Sequence, residues 1–182
     1  MPFHVVRPER NYLFTPTPIT DIAVNDAHAW RLNPSHRHIY NKLHVALSQG
    51  LRAAPSGVSP LILGLEPNER CFIKPITNLG GMSLNTYSCS AATIAEASIN
   101  KPDNNHANCA AGSFWCEFLS GTQTSSDVLI QNGKAVWFAH TVAADRKDKN
   151  RPIFWDIGAD CHNLEPLIST FIARELAGYT GL

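Results

Sequence analysis

The feature that most constrains this chain is the run Ser125-Ser126-Asp127-Val128-Leu129-Ile130-Gln131-Asn132-Gly133-Lys134-Ala135-Val136-Trp137. An Asn-Gly pair between two apolar, β-prone stretches favours a two-residue turn and marks a tight hairpin. The run predicts antiparallel strands over residues 126–130 and 135–142, so any fold of this chain contains antiparallel sheet.

The other elements follow from periodicity and punctuation. Residues 37–51 read as a helix, with Ile39, Leu43, Ala46 and Leu47 at helical spacing and Gly50 and Pro55 bracketing its end. Short apolar strands are expected at 61–65 and 70–75, joined by the turn Glu66-Pro67-Asn68-Glu69. Strand character recurs at 83–89, 113–119 and 153–157, and a weaker strand signal covers 19–24. Residues 91–97 suggest a short helix, 100–108 an exposed polar loop and 145–150 a charged turn. The last helix places Leu164, Leu167, Ile168, Phe171, Ile172 and Leu176 on one face, with Asn163 as its N-cap and Gly178 as its stop. Residues 1–16, rich in Pro, Arg and aromatics, show no firm period and read as an arm or remnant.

Composition bounds the function classes. The 182 residues suffice for one large domain or two small lobes, and a hydrophobic share of 44% supports a real core. Lys and Arg total 15 against 15 acids, which leaves no electrostatic footprint for nucleic acid or an anionic membrane. No apolar run approaches the ~20 residues of a membrane span, and the start of the chain lacks the apolar stretch of a signal peptide. The expected location is the cytoplasm. Five cysteines, an odd number at wide spacing, argue against a disulfide framework. His36, His38 and His44 cluster, and His106 lies near Cys109 and Cys116, but none has a recognised zinc-ligand spacing. No G-x-S-x-G elbow supports a serine hydrolase.

The candidate binding residues are cationic and glycine-rich. Lys74 ends the apolar strand Cys71-Phe72-Ile73 and can point into a cleft without being buried; the plainer reading is a solvated lysine at a strand end. Lys42 stands on the first helix. The loop Asn78-Leu79-Gly80-Gly81-Met82 allows backbone N–H groups to approach phosphate oxygens, or simply turns the chain. It is neither a Walker P-loop nor a G-x-G-x-x-G fingerprint. Glu117, between Cys116 and Phe118, is an acid in an apolar strand, either pointing outward by alternation or lying beside a base pocket.

In order, residues 41–182 resemble the ATP-grasp superfamily of carboxylate–amine ligases. The resemblance implies an α+β, two-lobed module of mostly antiparallel sheets with packed helices, the second lobe incomplete. Its parts would be an arm at 1–16, a first lobe at 17–113 and a partial second lobe at 114–182. It implies Lys42 and Lys74 as the ATP lysines, with Asn78, Gly80, Gly81 and Met82 in the loop that closes over the phosphates. Glu117, Phe118 and Leu119 would contact adenine through their backbone, and Gln123 stands where an acid usually binds the ribose. The implied chemistry is activation of a carboxylate as an acyl phosphate for attack by an amine or other nucleophile. The family's Mg²⁺-holding strands would follow Leu182 and are absent from the sequence, so Mg²⁺ is expected without identified ligands. The exposed helix face then implies a second copy or a complementary chain as partner, and the alternative is an inactive nucleotide-binding or interaction module.

Overall fold

The computed structural model describes residues 30–77, 86–99, 111–143, 147–148, 151–152 and 155–182. The arm, the strand expected at 19–24, the glycine loop and the polar loop at 100–108 lie outside them. The architecture is α+β with antiparallel sheets. It divides into two compact units, a four-stranded unit of His38–Thr122 with Asp145–Phe154 and a hairpin unit of Met1–Arg37, Gln123–Ala144 and Trp155–Leu182.

The four-stranded unit holds α1 (Lys42–Ser48), β1 (Ala53–Pro55), β2 (Arg70–Pro75), β3 (Tyr87–Ser90), α2 (Ala91–Ile99) and β4 (Ser113–Glu117). The sheet order is β1-β4-β2-β3, antiparallel throughout. Both of its faces are covered, which is why its strands read as near-continuous apolar runs. One face sends Ala54, Cys71, Ile73 and Trp115 against Ala91 and Ile94 of α2. The other sends Ala53, Phe114 and Cys116 against Leu43 and Ala46 of α1. Trp115 is fully buried and donates its indole N–H to the Val58 carbonyl at 2.7 Å. A short two-stranded ladder, β7 (Lys147–Asp148) with β8 (Arg151–Pro152), belongs to the same unit.

Two expectations are corrected here. Residues 61–65 are not a strand: Pro60–Leu63 is a 3-10 turn, opened by the Ser59 side chain accepting the Leu61 N–H at 3.3 Å and closed by Gly64 at φ +79°. Proline in the first turn and glycine after the last outweigh the apolar run. The single helix expected at 37–51 is broken at Asn41, between the 3-10 turn Pro34–Tyr40 and α1. Asn41 adopts extended backbone, caps the His44 N–H at 3.0 Å and pairs with Thr77. A capping side chain in mid-run starts a new helix.

The hairpin unit holds β5 (Thr124–Gln131), β6 (Lys134–Ala143), β9 (Trp155–Ile157) and α3 (Glu165–Glu175), with sheet order β5-β6-β9. The turn forms as expected, with Asn132 at φ +48° and Gly133 at φ +75°. Asn163 is not the cap of α3; it lies in the 3-10 turn His162–Leu164, and the α-helix starts only at Glu165, followed by Pro166 in the first turn. The buried stripe of the helix is also narrower than its apolar pattern. Ile172 and Leu176 are buried, while Leu167 remains 69% exposed. After the helix the chain folds back along the hairpin tip. Tyr179 O accepts the Gly133 N–H at 2.8 Å, and Ile130 and Gly181 exchange two backbone bonds. Asn33, itself buried, clasps this segment by donating to Thr180 O at 2.9 Å and accepting its N–H at 3.0 Å. Among the described residues no helix is long and apolar enough to cross a membrane.

Candidate functional site

In the four-stranded unit the period-2 alternation of β2 puts Phe72 and Lys74 on the α1 face, directly opposite Cys116 and Phe114 of β4. Lys74 Nζ consequently lies 5.3 Å from the centroid of the Phe114 ring, a geometry in which the aromatic face attracts the cation. Lys42 reaches the same face from α1. It stands immediately after the Asn41 cap, and its N–H donates to Ile76 O at 2.8 Å, so the start of the helix is tied to the end of β2. Two lysines 32 positions apart in sequence thus become electrostatic neighbours.

The Lys42 ammonium is held below the ordinary lysine range, first by partial burial and then by the positive charge of Lys74. Among the described residues neither lysine pairs with a carboxylate. Lys42 also occupies the first turn of its helix, where a cation opposes the helix dipole and no acid offsets it. Such a pair repels itself in the ligand-free protein and favours an anion placed between its ends. On the same face burial raises the Cys116 thiol against the opposing charge of Lys74, and on the other face burial pushes the Cys71 thiol up to about 12, which disfavours both as nucleophiles.

Glu117 points elsewhere. It has the parity of Trp115 and faces the α2 side of the sheet. There its carboxylate accepts from the Arg52 backbone N–H at 2.8 Å and from the Arg52 guanidinium at 2.9 and 3.0 Å. The Arg52 N–H and then the guanidinium hold this acid below the usual carboxylate range. Arg52 also bonds Glu69 at 3.0 Å, so one cation knits two loop ends to the sheet edge. The backbone donors of Glu117 and Phe118 are used within the unit, on Arg52 O at 2.9 Å and Arg70 O at 3.0 Å. The Phe118 ring lies under the Arg70 guanidinium at 4.0 Å, and Leu119 is 64% exposed. Gln123 belongs to the hairpin unit, where its carbonyl accepts the Ala143 N–H at 2.9 Å. Asn78, Gly80, Gly81 and Met82 lie outside the described residues.

Among the described residues the acids do not form a magnesium site beside the lysines. Lys42 has no carboxylate among the causes of its shift, and Mg²⁺ needs oxygen ligands in near-octahedral array. Of the acids in the hairpin unit, Asp127 is raised by burial and Glu165 is engaged by two histidines. Among the described residues nothing here fits a Mg²⁺ bound with the phosphates at the lysines.

That histidine arrangement was not visible in the sequence. His140 of β6 is 5% exposed and sits directly opposite Ser126 of β5, whose Oγ is 2.8 Å from its Nδ1. Its Nε2 is 3.3 Å from Oε1 of Glu165 in the first turn of α3, and the same oxygen is 2.6 Å from Nδ1 of His162. His162 is raised by its bond to Glu165, and Glu165 is lowered first by His162. The only sequence cue is His162 and Glu165 at a spacing of three; the third partner comes from the hairpin. No protein-family model, curated protein or solved structure matches this chain.

Proposed function

We propose that the four-stranded unit binds the phosphates of a nucleotide, ATP, through Lys42 and Lys74, as the nucleotide-binding part of an ATP-grasp ligase of carboxylate–amine type. The observation that carries this reading is the placement of Lys74 on the α1 face of the sheet beside Lys42 at the start of α1, with neither paired to a carboxylate among the described residues. A phosphate oxygen bound to both would remove the repulsion and add charge-assisted hydrogen bonds. In the ligase reading, ATP would convert a carboxylate to an acyl phosphate, and an amine or other nucleophile would displace the phosphate. The lysines would position and neutralise the transferring group. No step is drawn through Mg²⁺, for which the described residues supply no site beside the lysines.

A second reading, binding without turnover, is favoured by one specific observation. The Glu117 and Phe118 N–H groups, expected to recognise adenine, are already bonded within the unit. A site that recognises phosphate but not base would bind tripolyphosphate as well as ATP.

Calorimetry with ATP and with tripolyphosphate separates these outcomes. The expected result is binding by the wild type, weakened about tenfold to a hundredfold in Lys74→Ala and in Lys42→Ala, the worth of one charged hydrogen bond. Binding should also take up protons at alkaline pH, because the anion raises the depressed Lys42 pKa. ATP bound well above tripolyphosphate favours base recognition and the ligase reading; equal binding favours the second. Binding of neither by the wild type overturns both.

A further inference from the structure

We propose that His140, His162 and Glu165 form a binding site for a divalent transition metal ion of the zinc type, independent of the lysine pair. The ligand atoms of the three residues all lie within 4.8 Å of one another. Two imidazoles and a carboxylate are the donor set of a three-ligand zinc centre that leaves a further position for water. A tetrahedral ion with bonds of about 2.0–2.1 Å holds its donors about 3.3 Å apart. His140 Nε2 and Glu165 Oε1 already stand at 3.3 Å. His162 Nδ1 is 2.6 Å from the same oxygen, so that separation has to widen by less than an ångström, which a 77% exposed side chain can accommodate.

The shell around the donors supports the same assignment. The buried His140 is held from behind by Ser126, directly opposite it in the β5–β6 register, and its ring stacks on Phe138 at 5.8 Å. In the tautomer whose Nδ1–H donates to Ser126 Oγ, Nε2 presents a lone pair towards a carboxylate oxygen. A metal-ligating histidine characteristically has its other nitrogen fixed in this way, which leaves Nε2 as the atom that would bind the ion. His162 meets His140 edge-on at 6.1 Å, so both rings converge on one carboxylate from different elements. The convergence is built by tertiary structure: β6 supplies one ligand, the turn before α3 the second, and the first turn of α3 the third. Asp160 faces His162 through the His162 N–H at 3.5 Å and adds negative charge to the cluster.

The test uses the full chain, stripped with a chelator and titrated with zinc by calorimetry, and with cobalt read by visible absorption. One equivalent of zinc is expected, with cobalt giving the intense bands of a four-coordinate site. His162→Ala and Glu165→Gln should each weaken binding by at least about tenfold. Ser126→Ala, which touches no metal, should weaken it by roughly tenfold to a hundredfold by releasing His140. Since His162 is exposed, its variant should keep the wild-type melting temperature without metal and lose the increase that zinc produces in the wild type. No stoichiometric uptake by the wild type, or uptake undiminished in both His162→Ala and Glu165→Gln, overturns the proposal and leaves the cluster a hydrogen-bonded strut. The lysine variants should bind zinc as the wild type does, so this failure is distinct from failure of the nucleotide reading.

Discussion

The two units solve the same problem, burying an antiparallel sheet, in opposite ways. The four-stranded sheet is sandwiched, with Cys71, Ile73, Ile94, Phe114 and Trp115 at 0–1% exposure, and its charges sit at the margin. The hairpin sheet carries a helix against β6 and has a partly polar interior, in which a buried histidine bonds a serine and a glutamate. The first unit leaves two cations without a carboxylate partner among the described residues, while the second joins His140, His162 and Glu165 in one cluster. Apolar burial is additive and tolerant of pattern, whereas a buried polar cluster is stable only when each member has its partner.

Truncating matched tryptophans puts the largest strain on this comparison. Trp115→Ala should cost about 3–5 kcal/mol, the range for emptying a fully buried aromatic site. Trp137→Ala, at a half-buried position of β6, should cost clearly less. Chemical denaturation of both variants measures this, and equal losses would break the contrast between the sheets. Next in size is Gly133→Ala. Its φ of +75° strains any other residue by about 1–3 kcal/mol, and an added Cβ would stand 2.6 Å from the Gly178 nitrogen. Amide exchange should show lost protection at Ile130, Gly133 and Gly181; unchanged protection there would mean that the turn does not hold the returning segment.

The smallest effect is a pH dependence. Glu117 has a depressed folded-state pKa, so its contribution is fully present above the unfolded carboxylate value of about 4.3 and is lost as pH falls through the folded value. Glu69 behaves likewise, lowered first by the Glu66 N–H and then by Arg52. Stability measured on the acidic side should therefore fall less steeply in Arg52→Gln than in the wild type. Parallel curves would remove the ion network from the account of the four-stranded unit.

The sequence carried these features unevenly, and the reasons are physical. The hairpin was legible because Asn132-Gly133 is a local code for a two-residue turn. The strand at 70–75 was legible because an apolar run bounded by polar residues has few other uses. The run at 61–65 has the composition of a strand, but Ser59-Pro60 and Gly64 are start and stop signals for a turn of helix, and they prevail. Lys42 and Lys74 could be singled out one at a time, but their coupling depends on Asn41 pairing with Thr77, which is a tertiary event. Glu117 faces Arg52 rather than the lysines because one step along a strand reverses the face. The histidine cluster was illegible for a similar reason: His140 lies 22 residues before His162, and only the return of the chain through β9 brings them together.

The short segment after α3 has a consequence for how copies of this chain behave in company. Among the described residues β5 is the outer strand of its sheet, and an eight-residue edge strand is a template on which another chain can add a strand. Gly181 occupies the Ile130 end of that template, and the register shift between Leu129 and Ile130 bends the strand away from a straight ladder. Among the described residues, the bridge to Gly181 and the kink at Leu129 and Ile130 thus shorten the straight stretch of edge that another chain could lengthen.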